Sequence, residues 1–331
     1  MNLRTIAELS GVSAATVSNV INGNFNKVSE ETRKRVEEVI RKTDYKPSGS
    51  RGLKASLRTI GMIIPYAALD SSFMINHCYA YTVAALEELA REKNLRLLIL
   101  NGKALEEVLS MINDGILDGA IVQGVFEEEA KTFQKAARFP VVYLDTYTED
   151  PELVTVGIDD YRGGVLMARY LIAKGHRKLA VAAPDYSSGV MKDRVKGFRD
   201  VCRESGIPFE ESDIYLSDIK YYNGVNVGQD IALSGKGYTA VAAMSDDLAF
   251  WIIAGMRQCG TRIPEELSFI GFDGIPEGTC YHPRLTSVEQ DHRKKVEAAG
   301  KYLIRMMDGE AVQAHDVLPV QIREGDSVLS L

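Results

Sequence analysis

The chain predicts two unlike parts: a small all-α head over residues 1–46 and a larger α/β body with parallel sheets from residue 59 onward. Three observations carry that division. Two short amphipathic segments flank a Ser-Gly-Val turn at residues 10–12, in helix-turn-helix spacing. From Thr59 onward, apolar runs of strand length alternate with helix-length segments. The charge is also divided. Residues 1–58 hold 11 Lys and Arg against 6 Asp and Glu, a net of +5, so with −7 over all 331 residues the remainder carries −12.

In the head, Asn2 suits the N-cap of the first helix, and Ile6, Ala7 and Leu9 supply its apolar stripe. Gly11 suits the positive φ just past a helix end. Ser13 caps a second helix whose inner face is Val17, Val20 and Ile21. Its other positions, Ala14, Ala15, Thr16, Ser18, Asn19 and Asn22, are small or polar, and none is acidic. Small residues permit close approach to base edges. An Asn amide pairs with adenine, alanine methyls fit thymine methyls, and hydroxyls reach phosphates. A third helix runs from Ser29, its cap, to about Thr43, with Glu30 and Glu31 in the first turn. Its Arg33, Lys34, Arg35 and Arg41 are equally read as solvated charge on an exposed face. A basic head on an acidic body suits phosphate contact by the head alone.

The predicted strands of the body are Ile60–Ile64, Leu95–Leu100, Gly119–Val122, Val141–Leu144, Lys178–Ala183, Thr239–Ala243 and Leu267–Phe272. Helices such as Ala84–Lys93 and Arg162–Lys174 lie between them. Some 270 residues exceed one simple domain. The chemistry of several enzyme classes is missing: there is no Gly-x-Ser-x-Gly, no Walker loop and no strand-linked Gly-x-Gly-x-x-Gly. The neighbours Asp159 and Asp160 diverge on a strand and suit the start of the next helix better than a metal. Cys78, Cys202, Cys259 and Cys280 are scattered, and the five histidines show no ligand spacing, so no metal or cofactor is expected. His176 is read as structural, and Trp251 as core. Met1-Asn-Leu-Arg runs straight into helix, and no apolar run approaches the roughly 20 residues that cross a bilayer. A cytoplasmic protein without membrane partners is expected, associated with the nucleoid when bound to an operator.

Four segments of the head carry a resemblance: Ile6-Ala-Glu-Leu-Ser-Gly-Val-Ser13, Thr16-Val-Ser-Asn-Val-Ile-Asn22, Val28-Ser-Glu-Glu-Thr-Arg33 and Asp44-Tyr-Lys-Pro47. In order and spacing they resemble the lactose-repressor (LacI/GalR) family of transcriptional regulators, and the likeness continues through most of the chain. The resemblance implies a type I periplasmic-binding-protein-like body of two α/β lobes, crossed by three strands, with a small molecule between them. The expected division is a head over residues 1–46, a hinge over 47–58 and a body over 59–331. Within the body, one lobe is expected over about 59–158 and 290–315, the other over about 159–287 and 316–331. Ala14, Ala15 and Asn19 sit where the family reads bases, and Asn19 stands where members often carry Arg. The hinge Pro47-Ser-Gly-Ser-Arg-Gly-Leu53 is one residue short of the family pattern and holds two helix-opposing glycines. Leu53 is its candidate minor-groove wedge.

Ligands of such folds sit beyond the carboxyl ends of strands. There the sequence places Asp70, Ser71 and Phe73, then Gln123, Asp145, Ser245, Asp273 and Gln290, with Arg194 opening a helix in an Arg-x-Lys-Gly-Phe run. Carboxylates and amides bind hydroxyls, an Arg holds a hydroxyl pair or an anion, and Phe73 stacks a sugar face. Ser245 replaces a common Asn of the family, as does Asp160. The expected protein is an operator-binding repressor, non-enzymatic and controlled by a sugar, polyol or sugar derivative. A purine effector, or an activator, is the alternative. The C-terminal residues show no leucine heptads, which favours a homodimer over a coiled-coil tetramer.

Overall fold

The structure is a computed structural model that describes residues 3–21, 27–43, 57–65, 76–102, 105–112, 115–184, 189–217 and 221–331. Its contacts divide the chain into two units, Met1–Arg58 and Thr59–Leu331.

The smaller unit contains α1 (Leu3–Ser10), α2 (Ala14–Ile21) and α3 (Glu30–Thr43). Helix α1 ends where Gly11 turns left-handed, at φ +64°, and the N–H groups of Gly11 and Val12 donate to the carbonyls of Glu8 and Ala7. Ser13 then starts α2, its Oγ accepting from the Thr16 N–H at 3.1 Å. Ser29 does the same for α3, accepting from Thr32 at 3.3 Å. Ile6, Ala7, Val17, Val20, Ile21, Val36 and Ile40 form the core. Leu9 does not join them and is 56% exposed. The buried face of α1 is Ile6, Ala7 and Ser10, and Leu9 lies off that stripe. Ser10 is tolerated inside because its hydroxyl donates to the Ile6 carbonyl at 2.5 Å. On α3, Arg33, Lys34 and Lys42 each pair with a glutamate one turn away, so these charges serve the helix's own surface.

The larger unit runs β1 (Thr59–Pro65), α4 (His77–Glu92), β2 (Arg96–Gly102), α5 (Leu105–Ile112), β3 (Gly119–Gln123), α6 (Glu127–Ala136), β4 (Val141–Leu144) and β5 (Val154–Ile158). It continues with α7 (Asp160–Ala173), β6 (Leu179–Pro184), α8 (Gly189–Glu204), β7 (Ile214–Ser217), α9 (Tyr221–Leu233), β8 (Ala240–Ala243), α10 (Asp246–Gln258) and β9 (Ser268–Asp273). The last elements are β10 (Thr286–Glu289), α11 (His292–Met307), β11 (His315–Leu318) and β12 (Gln321–Arg323). Among the described residues the strands form two sheets, β11-β5-β4-β3-β1-β2 and β12-β10-β9-β8-β6-β7. Every pairing is parallel except β12 with β10. Strands β3, β4, β6, β8 and β9 are buried along their whole length, which explains why their sequences are continuously apolar rather than alternating.

The chain passes between the sheets three times: after β5, after β10 and after β11. The second passage delivers α11, whose Val296, Ala299 and Leu303 pack with Ile60, Ile121 and Val142 of the first sheet. The third comes later than the sequence reading placed it. Residues 315–318 pair with β5 in the first sheet, so the return follows Leu318 rather than residue 315. Likewise β10 extends through Glu289, past the expected boundary near 287.

Glycines set the spacing of the helix pair α7–α8. A Cβ on Gly164 would lie 1.9 Å from the Arg194 carbonyl oxygen, and one on Gly197 would lie 2.1 Å from that of Tyr161. The Gly164→Ala variant therefore has to push α8 away from α7. Its expected cost is about 1–3 kcal/mol, read as a lower urea midpoint with an unchanged slope. An unchanged midpoint would show that the helices are not in backbone contact.

Candidate functional site

Helix α2 carries the candidate base-reading residues. Its inner face is buried, Ala15 is exposed, and Ala14, Thr16, Ser18 and Asn19 are half-buried. Ala14 packs partly on the head core, and the Thr16 hydroxyl shares a 2.9 Å hydrogen bond with Ser13, so both also serve the helix start. Asn22 and Leu53 lie outside the described residues, as do Asp70, Ser71 and Phe73.

In the body, the remaining candidates converge from both sheets. Gln123 is the last residue of β3, Asp145 follows β4, Asp273 ends β9 and Gln290 follows β10. Asp145 and Asp273 both adopt positive φ, at 57° and 113°. Such a conformation costs a non-glycine residue on the order of 1–3 kcal/mol, a strain that clusters at binding sites. Arg194 does not open its helix as the sequence suggested. Helix α8 begins at Gly189, which puts Arg194 in the second turn, 4% exposed.

These groups form one chain of contacts. Gln123 Nε2 donates to Asp145 Oδ2 at 2.8 Å. Lys295 Nζ donates to both Asp145 oxygens at 2.9 Å and to Gln290 Oε1 at 3.0 Å. Gln290 Nε2 donates to Asp273 Oδ1 at 2.8 Å, and Asp273 lies 3.6 Å from Arg194 Nη1. Arg194 Nε donates to Asp160 Oδ1 at 2.6 Å, Nη1 donates to the Met244 carbonyl at 2.6 Å, and the guanidinium sits 3.5 Å over the Phe272 ring. The Tyr147 hydroxyl donates to Asp160 Oδ2 and returns the chain to the loop after β4. Ser245 is buried beside it, directly after Met244, at the start of α10, and makes no capping bond. Asp246 is buried too, but accepts from Ser287 Oγ at 2.7 Å and Ile275 N at 2.9 Å and braces β9 and β10.

Sequence reasoning missed Lys295 and Tyr147, and singled out Asp160 as replacing a common Asn of the family, without its partner Arg194. Lys295 is 1% exposed, and the readable signal was its spacing: it precedes Ala299 and Leu303 by four and eight residues on the buried stripe of α11. Asp160 was read with Asp159 as helix-start charge. Only Asp159 caps α7, accepting from Arg162 N at 2.8 Å, while Asp160 turns inward to Arg194. A second link between the halves joins α4 to α10 and to the turn after β9. Tyr81 Oη donates to Glu277 at 2.8 and 2.9 Å, and His77 N donates to Asp247 at 3.0 Å.

Burial and pairing compete at each ion. Burial alone would lower the proton affinity of Arg194 and Lys295, but Asp160 and Asp273 raise that of the guanidinium, and Asp145 raises that of the ammonium. Burial pushes the Asp145 carboxyl up, yet Lys295 and Gln123 bring it below its usual range. Asp160 stays raised by burial despite Arg194. Burial pushes Asp273 up to about 6, against the opposing pull of Arg194 and the Gln290 bond. Among the described residues no His, Cys, Asp and Glu cluster is arranged to hold a metal. No described helix is long and apolar enough to cross a membrane.

Comparison with known proteins finds two family models. That of bacterial regulatory proteins of the lacI family matches residues 2–48, and that of a periplasmic binding protein-like domain matches residues 168–328. Catabolite control protein A of Priestia megaterium is 30% identical over 331 residues, spanning 96% of each chain. Two solved structures each superpose with a TM-score of 0.74 over 99% of both chains: the transcriptional regulator CelR in complex with cellobiose, 24% identical, and the lac repressor dimer bound to operator and the anti-inducer ONPF, 22% identical. At those identities the likeness is one of fold.

The raised Asp273 carboxyl has a measurable sign. A folded-state value of about 6 against 3.8 unfolded means that the native state binds the extra proton between those values. Its contribution is present below about pH 4 and is lost as pH rises through about 6. The melting temperature of Asp273→Asn, relative to the parent, is therefore expected to climb from pH 4 to pH 6.5. A flat difference across that window would show that Asp273 ionises normally.

Proposed function

The chain belongs to the lacI family of bacterial regulatory proteins, which makes it a DNA-binding transcriptional regulator, and on that footing we propose that it is a repressor whose hold on operator DNA is set by a small polar metabolite bound at the Asp145–Asp273 site. The observation that carries this reading is the buried ionic chain linking residues of both sheets. Ions in a protein interior are weak stabilisers. Their desolvation offsets their attraction, and apolar residues of similar volume serve a core as well or better. Five charged groups at the carboxyl side of two parallel sheets, two of them on strained backbone, suit a polar ligand better than they suit packing.

In this reading, hydroxyls of the effector engage Asp145, Asp273 and Arg194 and exchange with contacts the side chains now make to one another. Gln290 is the residue whose partners must change, since it alone contacts both Lys295 and Asp273. The effector shifts the protein between two arrangements only by as much as it binds them differently. At the other end, Ala14, Ala15 and Asn19 read base edges, Thr16, Ser18 and Asn22 serve backbone or adjacent contacts, and Leu53 wedges the minor groove. Two heads on a symmetric homodimer then read a near-palindrome. The operator-bound lac repressor dimer and the CelR–cellobiose complex, both of this fold, support an operator, a dimer and a sugar-like effector.

Two variants test the two ends. Asn19→Ala is expected to lose about 1–3 kcal/mol of discrimination at one base pair, measured by selection from a random DNA pool. Unchanged base preference would remove Asn19 from the readout. Arg194→Lys keeps the charge but loses the planar fork. It is expected to bind operator normally in a gel shift while needing at least tenfold more effector to respond. Full effector response in that variant would place the ligand elsewhere.

A further inference from the structure

The body begins at Thr59, and Asp118 holds that residue on both sides of its backbone. The Thr59 N–H donates to Asp118 Oδ2 at 2.7 Å, and the Thr59 carbonyl accepts from the Asp118 N–H at 2.8 Å. The second bond extends the parallel pairing of β1 with β3. The first is charge-assisted and is not one that strand pairing supplies. Asp118 is exposed and immediately precedes β3, whose last residue, Gln123, hydrogen-bonds Asp145 in the ionic chain. The five buried residues of β3 advance about 13 Å. Helix α11 reaches the same junction from the same site. Lys295 stands in its first turn, and a Cβ on Gly119 would lie 2.9 Å from Leu303 and from Met307 near its end. From Lys295 to Met307 the helix advances about 18 Å. A close-packed interior transmits displacement rather than absorbing it. Two stiff elements thus run from the ionic chain to one exposed carboxylate, which grips the residue where the chain enters the body.

We propose that Asp118 is a positioning residue that couples the ionic site to the DNA-reading head: it ties the start of β1 to the ends of β3 and α11 that lie away from the site. The inference rests on the reading above that site and head are linked, and it names the place where the link leaves the body. A rearrangement at Gln123 and Lys295 displaces β3 and α11 as units, and Asp118 passes the displacement to Thr59. Binding at the head acts back through the same contact, because coupling is reciprocal. Asp118 belongs to neither binding surface. Its loss therefore separates the two functions without removing either.

The test reads coupling directly and needs no effector. The full-length protein, free and bound to an operator duplex selected from a random DNA pool, is compared by hydrogen exchange and mass spectrometry. In the parent, operator is expected to change the exchange rates of residues 119–123 and 292–296 by about fivefold or more. Asp118→Asn keeps a side-chain oxygen that accepts from Thr59 and is expected to retain the change. Asp118→Ala is expected to bind operator and to lose it. A merely structural role would instead lower the melting temperature of Asp118→Ala and leave the operator-induced change in place. That result overturns the inference and leaves the gating reading intact. A parent with no change in either segment also overturns it. Should Asp118→Ala not fold, Gly119→Ala tests the same junction by pushing Leu303 and Met307 aside. It is expected to diminish the change at 292–296, and an undiminished change counts as refutation. A change that depends on Asp118, in a protein whose operator affinity cellobiose, ribose and hypoxanthine all leave unaltered, supports the coupling and speaks against those effectors.

Discussion

Everything proposed for the body depends on one constraint: ions buried at the junction of two sheets must neutralise each other. Asp145, Lys295, Asp273, Arg194 and Asp160 are linked in sequence, with Gln290 joining the half nearer the first sheet to the half nearer the second. Removing one member leaves a neighbour charged and unpaired in a medium of low polarity, which costs about 3–5 kcal/mol. The chain therefore behaves as a unit. Under the proposed function, an effector that satisfies two carboxylates and a guanidinium would replace several internal contacts at once.

The surrounding fold holds these groups in register. Parallel strands end together at one side of each sheet, so the ends of β3 and β4 arrive side by side in one sheet and those of β9 and β10 in the other. Close helix packing fixes the rest. Gly164 and Gly197 bring α7 and α8 into backbone contact, which sets Arg194 on α8 against Asp160 on α7. Gly228 and Gly255 do the same for α9 and α10, where a Cβ would lie 2.2 and 2.0 Å from a carbonyl oxygen of the other helix. The passage at Gln290 belongs to the ionic chain, that at Asp159 directly precedes Asp160, and that at Leu318 is tied to Asp159 by a 3.0 Å backbone hydrogen bond.

How much of this was legible in the sequence follows from where the information lies. The ends of β3, β4 and β9 were readable because a continuous apolar run stops at a polar residue, and Gln123, Asp145 and Asp273 are those residues. The caps at Gly11, Ser13 and Ser29 were readable because they are local. Leu9 was misplaced because stripe membership on a two-turn helix turns on one residue, and a serine took the inner position. Strands β5, β7, β10, β11 and β12 were not read as strands: they are three to five residues long, and their pairing is set by distant partners. Lys295 was hidden beside Arg293 and Lys294, which are exposed and paired with acidic neighbours. Nothing local distinguishes it from them except helical phase. Asp160 was hidden by Asp159 in the same way. Such residues join the site only through tertiary contact, and adjacent like charges read as solvated surface.

The central claim is that the ionic site and the DNA-reading head are thermodynamically linked, and linkage is reciprocal. The most direct measurement is the operator affinity of the full-length protein, by fluorescence anisotropy at fixed salt, with and without a saturating neutral sugar or polyol that raises its melting temperature. It is paired with the affinity for that compound with and without operator. The account predicts that both affinities change by the same factor, tenfold or more. Equal operator affinity in the presence and absence of a bound compound would contradict it.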